Sequence, residues 1–227
     1  MGRFGDTYRK LLEESIHISG NPKIQIIAVS KTQPFSVLKE AFEEGIRDFG
    51  ENSIREGLVK IQGFHAALPD FPTSGPRFHH IGPLQTGTLR KLFGNFASTQ
   101  GVGSLNALKE LLKRSEKEKS RLEYCIQLNL TGEESKHGFA IQEFYQLLET
   151  LKERETSQLR LCGLMTMGPS SGDPIETRKV FKTLRKIRDE INTSWKLSMG
   201  MSGDYRIALE EGADILRIGS AIFGERL

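Results

Sequence analysis

The sequence predicts an α/β fold: a single (β/α)8 TIM barrel preceded by an N-terminal helix, one domain over residues 1–227. Three observations predict it. Short apolar runs alternate with amphipathic helical patterns, eight times after the first helix. The first of these runs is apolar on both faces, as the covered strands of a parallel sheet are. The last two strand ends, Leu197-Ser-Met-Gly-Met-Ser202 and Arg217-Ile-Gly-Ser-Ala-Ile-Phe-Gly224, are rich in small residues. Parallel barrels commonly hold an anion after strands seven and eight on such turns.

The first helix carries Phe4, Tyr8, Leu11, Leu12 and Ile16 on one face. Strand one is Ile24–Lys31, and Pro34 suits the first turn of a helix with Val37, Leu38, Ala41 and Phe42. Strand two, Arg47–Glu51, precedes a helix bearing Ile54, Leu58 and Ile61. A loop from Pro69 to Pro76 leads to strand three, Arg77–Gly82, and to a helix with Leu84, Leu89, Leu92 and Phe93. Strand four is Phe96–Gln100, and its helix carries Leu105, Leu108, Leu111 and Leu112. Strand five, Tyr124–Leu130, is followed by a helix with Phe144, Leu147, Leu148 and Leu151. After strand six, Leu161–Met167, the spacing Asp173-Pro-Ile-Glu176 is that of a capping box opening a helix with Val180, Leu184, Ile187 and Ile191. Strand seven is Trp195–Met199, a short helix runs from about Asp204 to Gly212, and strand eight is Ile215–Gly219.

An open doubly wound sheet shares this alternation. Its glycine-rich turn is missing, because Ser30-Lys-Thr-Gln33 follows strand one, and Gly101-Val-Gly103 after strand four has Asn106 at the third glycine position. A chain of 227 residues buries a continuous core without disulfides or metals. A net charge of +3 is too slight to argue for nucleic acid, and the most charged stretch, Lys113–Arg121, mixes both signs. No apolar run has the length of a membrane span, and the N-terminus lacks a signal peptide's apolar segment. The expectation is a cytoplasmic protein with neither membrane nor nucleic acid as partner. Cys125 and Cys162 lie in apolar runs, where free thiols act as small core residues. His79 and His80 are adjacent in a strand and point to opposite faces, which argues against a shared metal.

Reactive groups of a parallel barrel gather at the strand ends. Lys31 ends strand one after seven uncharged residues. An amine rooted in apolar surroundings has its charged form disfavoured and becomes a nucleophile toward aldehydes. Beside an anion cradle it suggests a phosphorylated aldehyde, of which pyridoxal phosphate is the commonest in biology. Strand alternation puts Arg217 and Gly219 on one face, so a ligand phosphate at Gly219 leaves Arg217 inward and one layer deeper. There a permanently charged donor to a pyridine nitrogen disfavours its protonation and weakens the ring as an electron sink. The competing reading is an arginine paired with a buried acid.

Seven blocks occur in order: Ala28-Val-Ser-Lys-Thr32, Phe49-Gly-Glu-Asn52, His80-Ile-Gly-Pro-Leu-Gln85, Ser135-Lys-His-Gly138, Gly163-Leu-Met165, Leu197-Ser-Met-Gly-Met-Ser202 and Arg217-Ile-Gly-Ser-Ala-Ile-Phe-Gly224. Together they resemble the signature set of the YggS/PROSC-type pyridoxal phosphate homeostasis proteins, from Ile24 to the end. The resemblance implies a barrel similar to the N-terminal domain of alanine racemase, with pyridoxal 5'-phosphate held as an imine. It implies that Lys31 is the imine lysine and that Ser198, Gly219 and Ser220 hold the phosphate, with backbone donors from Met199 or Gly200. It further implies that Arg217 faces the ring nitrogen and Asn52 sits beside the ring. Two stretches depart from the family pattern: Ser53, where an aromatic residue is common, and Thr86-Gly-Thr88, where a small residue and Asn-Lys usually follow.

Three readings are open at this point. The first is a monomeric carrier that buffers the cofactor and delivers it to apo pyridoxal phosphate enzymes, with little or no turnover. The second is a racemase, which needs acid–base groups on both faces of the imine plane. Racemases on the resembled barrel take the second group, a tyrosine, from an added C-terminal domain; of the four tyrosines here, Tyr205 is nearest the cradle. The third is an imine aldolase acting on a sugar phosphate, with Glu51 as proton shuttle. Lys136, in Glu133-Glu-Ser-Lys136, reads either as a solvated lysine or as a second, transient imine former.

Overall fold

The protein is described here by a computed structural model covering residues 2–152 and 157–224; Met1, residues 153–156 and 225–227 lie outside it. Eight parallel strands close a barrel in chain order, β8 pairing with β1. They are β1 (Gln25–Val29), β2 (Asp48–Glu51), β3 (Arg77–His80), β4 (Ser98–Val102), β5 (Leu122–Gln127), β6 (Leu159–Met165), β7 (Lys196–Ser198) and β8 (Ile215–Ile218). The helices around them are α1 (Arg3–Ser19), α2 (Phe35–Glu43), α3 (Ile54–Ala67), α4 (Phe71–Ser74), α5 (Leu105–Ser115), α6 (Ile141–Lys152), α7 (Pro174–Ile191), α8 (Tyr205–Glu210) and α9 (Ser220–Phe223).

Local chemistry explains most of the boundaries. Asp173 caps α7, accepting from the N–H groups of Ile175 (2.9 Å) and Glu176 (2.8 Å), with Pro174 in the first turn. Ser53 and Ser104 cap α3 and α5 in the same way, and Gly20, at φ 65°, ends α1. Pro34 is the residue before α2 rather than within its first turn. The loop from Pro69 to Pro76 holds the short α4, and the segment after β3 is a 3-10 helix, Thr86–Leu92, that buries Leu89 and Leu92. Strand four starts two residues later than its apolar pattern suggests. Phe96 packs edge-on against His80, at 6.3 Å between centroids, and closes on Gly57 of α3, while Gly101 lies inside the strand. A Cβ at Gly101 would sit 2.0 Å from the Gly82 carbonyl oxygen, so this close approach of two backbones admits only glycine.

The two faces of the barrel wall differ in kind. Between sheet and helices lies an aliphatic and aromatic mantle. Phe64 is fully buried at its centre, with ring centroids of Phe35, Phe42 and Phe78 at 5.0, 5.5 and 6.0 Å. Truncating such a residue to alanine costs about 3–5 kcal/mol. The barrel interior is largely polar. Asp48 Oδ1 accepts from Gln25 (3.0 Å) and pairs with His79 Nε2 (2.8 Å), Oδ2 accepts from Arg77 (2.7 Å), and His79 Nδ1 meets Ser98 Oγ (2.8 Å). Burial raises the Asp48 pKa, but the bonds from His79 and Arg77 outweigh it and hold the carboxyl below its usual range. Higher up, Cys125 and Cys162 lie in a small cluster with Met165, as free thiols with sulfurs 3.5 Å apart.

Candidate functional site

The C-terminal ends of the strands surround a cavity of about 510 Å³. Alternation along β1 turns Ile26 and Ala28 into the mantle, so that Val29 and Lys31 reach the cavity. The same logic along β8 brings Arg217 and Gly219 to it. The wall also includes Asn52, Ile81, Gln127, His137, Met165, Met201, Ser202, Gly203 and Ser220.

Lys31 is the second residue of a turn closed by the Gln33 N–H on the Ser30 carbonyl at 3.0 Å. The third residue, Thr32, has φ +65°, a region that β-branched side chains rarely occupy. Its N–H donates to Glu56 Oε1 at 2.7 Å.

Arg217 is buried inside the barrel, where Nη1 donates to Ser198 Oγ (2.7 Å) and Nη2 to the Thr166 carbonyl (2.9 Å). Both partners are neutral; Asp204 acts on the guanidinium only through its field. Burial pulls the Arg217 pKa down to about 10, so it is still charged at neutral pH.

The structure brings Lys31, Asn52, Arg217, Gly219 and Ser220 to one cavity, and leaves Ser198, Met199 and Gly200 behind its wall. The Ser198 hydroxyl is engaged, accepting from Arg217 and donating to Gln100 Oε1 at 2.7 Å. Met199 is core. Gly200, at φ 97°, presses against Ala208 and Leu216, and its carbonyl accepts the Arg217 N–H at 2.9 Å. Because β7 ends only at Ser198, the small residues that face the cavity are the next ones along, Ser202 and Gly203. The Ser202 hydroxyl accepts the Ala221 N–H (3.3 Å), tying this loop to α9.

Several other expectations are resolved by geometry. Glu51 faces the mantle rather than Lys31; it is fully buried, bonded to Ser30 Oγ (2.5 Å) and Lys60 (2.7 Å), which removes it as a shuttle beside Lys31. The Tyr205 hydroxyl donates to Glu14 of α1 (3.1 Å), away from the cavity, and no tyrosine lines the cavity among the described residues. Lys136 is not solvated: its ammonium donates to Glu133 (3.1 Å) and to the Gly168 carbonyl (2.5 Å), with 13% of the side chain exposed. His79 points into the barrel, and His80 to the opposite side of β3, where Nδ1 meets Thr99 Oγ1 at 2.9 Å. Burial lowers the His80 pKa to about 4, against a hydrogen bond to the Asn52 backbone. Sequence reasoning missed Glu56 and Lys60; their signal was a lysine within the stripe Ile54, Gly57, Ile61 and Phe64, four residues after a glutamate.

Residues 14–227 match the family described as "Alanine racemase, N-terminal domain". The pyridoxal phosphate homeostasis protein of Aquifex aeolicus is 36% identical over 208 residues, covering 89% of this chain and 87% of the relative. PipY of Synechococcus elongatus, solved without pyridoxal phosphate, superposes with a TM-score of 0.85 at 29% identity, over 97% of this chain and 100% of PipY. Its structure with pyridoxal phosphate bound gives 0.81 at 29% identity, over 94% and 99%. By barrel, strand-end chemistry and likeness over nearly its whole length, this chain belongs to the family of pyridoxal phosphate homeostasis proteins.

Proposed function

We propose that this chain binds pyridoxal 5'-phosphate as a covalent imine on Lys31, and buffers and delivers it to apo enzymes with little or no turnover. The observation that carries the reading is the meeting of Lys31, Arg217 and the Gly219–Ser220 turn on one cavity. The cavity suits the cofactor chemically: an amine for the aldehyde, a buried cation one layer down for the ring nitrogen, and small-residue turns at Ser202–Gly203 and Gly219–Ser220 for the phosphate. A Cβ built on Gly203 meets open space, so the backbone there is accessible to an anion. Charge-assisted hydrogen bonds to the phosphate contribute roughly 1.5–3 kcal/mol each. Asn52 lies at the mouth, beside the position the ring would take. Ser198, Met199 and Gly200 act in this reading from behind the wall, Ser198 by orienting Arg217 and Gly200 by holding its backbone.

When bound, the cofactor supplies an electrophilic aldehyde and a ring able to delocalise charge. Arg217 keeps its proton at neutral pH and so opposes protonation of the ring nitrogen, which limits that delocalisation. The cavity offers no tyrosine as a second acid–base group among the described residues, which favours the carrier over the racemase reading. We further propose a monomer of one domain working in the cytoplasm; no helix among the described residues is long and apolar enough to cross a membrane. Purified protein mixed with pyridoxal phosphate is expected to turn yellow, and borohydride to fix the adduct on Lys31, as mapped by peptide mass. A colourless protein with no fixed peptide would overturn the reading. Arg217→Glu is expected to shift the absorption band through ring protonation, and steady racemisation of an amino acid would restore the second reading.

A further inference from the structure

We propose that Glu56 and Lys60, both on α3 and outside the barrel, are positioning residues that set the backbone on either side of Lys31; their use in cofactor capture rests on the reading of Lys31 above. Lys60 is 5% exposed, and its ammonium donates at 2.7 Å to three acceptors: the Ser30 carbonyl, Glu51 Oε1 and Glu56 Oε1. Glu56 Oε1 in turn accepts the Thr32 N–H at 2.7 Å. The residue before Lys31 and the residue after it are therefore both held from one helix.

The turn explains what the hold achieves. Ser30 to Gln33 form a four-residue turn with Lys31 second and Thr32 third. A positive φ at the third position is the mark of a type II turn, where glycine is the usual residue; a type I turn has the middle peptide flipped and a negative φ there. Thr32, a β-branched residue at φ +65°, takes the conformation its side chain disfavours. Glu56 accepts the N–H of that middle peptide and so selects one flip state over the other. Lys60 fixes the Ser30 carbonyl on which the turn closes. Two carboxylates share this ammonium and are driven apart: burial raises Glu51, while the Lys60 and Thr32 bonds outweigh burial and lower Glu56, which stays ionised. Among the described residues, Glu51 Oε2 is buried without a hydrogen-bond partner.

The orientation matters because condensation of the Lys31 amine with an aldehyde forms a C=N bond, expels one water, and requires the amine to approach the carbonyl carbon. Misplacing a reacting group by an ångström slows such a step by up to roughly a hundredfold.

The test uses the whole chain in two arms. Without cofactor, Glu56→Ala is expected to speed amide exchange at Thr32 roughly tenfold while Ile27 in β1 is unchanged. With pyridoxal phosphate, it is expected to slow Lys31 fixation roughly tenfold, while 4-deoxypyridoxine 5'-phosphate, which has no aldehyde, binds within about twofold of wild type. Glu56→Gln keeps an acceptor for Thr32 and is expected to recover most of the rate. Thr32→Gly adopts positive φ freely, so adding Glu56→Ala to it is expected to change little. Unchanged exchange at Thr32, or fixation equal to wild type in Glu56→Ala, overturns the proposal. A wild type that never forms the Lys31 adduct overturns the cofactor reading instead, and the exchange arm still decides whether Glu56 holds the turn.

Discussion

The floor and the mouth of this barrel are both lined with polar side chains and do different work. At the floor, Asp48, His79, Gln25 and Ser98 satisfy one another, and the exposed Arg77 closes on Asp48 from the rim. At the mouth, Lys31, Asn52, Ser202 and Ser220 are arranged around a space. Polar groups that close on themselves stabilise a fold, whereas polar groups that converge on a cavity describe a ligand. Polarity inside a barrel is therefore not itself a functional signal; the direction in which it is satisfied is.

Substitutions at each end of the barrel separate stability from binding. Lys31→Ala is expected to abolish borohydride-fixed cofactor while leaving the melting temperature near wild type and weaker binding measurable by equilibrium dialysis; complete loss of binding would show that the phosphate contacts matter less than argued. Asp48→Ala is expected to do the reverse, destabilising by about 1–3 kcal/mol because the buried His79 ring loses its partner. That corresponds to a melting temperature lower by roughly 2–12 °C for a chain of this length, with cofactor bound per folded molecule unchanged. A binding defect in Asp48→Ala would erase the distinction.

His80 sharpens the comparison, because it is buried near both the mouth and the mantle. Its folded pKa of about 4 lies below the ordinary histidine value of 6.5. The unfolded chain therefore takes up the proton first, and stability is lost as pH falls from 6.5 toward 4, by up to about 3 kcal/mol. His80→Gln is expected to flatten that part of the pH–stability curve measured by urea unfolding. The smallest effect is expected at Ser198→Ala, where Arg217 loses one neutral acceptor; about 1–2 kcal/mol of stability and a small shift of the bound cofactor's absorption band would show that Ser198 acts through Arg217.

Much of this was legible in the sequence, for identifiable reasons. Period-two alternation placed Arg217 and Gly219 on one face, and the run before Lys31 placed it at a strand end; both reach the cavity. The sequence places the β7 half of the cradle at Ser198, Met199 and Gly200, which look like a loop, whereas β7 runs through Ser198, its backbone pairs persist through Met199 and Gly200, and the small residues of this stretch that line the cavity are Ser202 and Gly203. Strand four was read early because Phe96 is apolar for the mantle's sake, and Gly101 resembles a loop residue although a backbone crossing requires it inside the strand. Glu56 and Lys60 escaped because their contacts depend on the turn after β1 lying against α3, which no local pattern encodes.

Arg217 carries its charge at the barrel axis against hydroxyl and carbonyl partners. A cation offset only by the field of Asp204, beneath a mouth walled by low-dielectric protein, directs part of its potential outward, so the opening is expected to attract anions before any contact is made. A doubly charged phosphate ester would feel that pull from about a Debye length, roughly 8 Å in physiological salt. Capture should then slow as salt is added while release changes little, which would make loading and unloading separately adjustable.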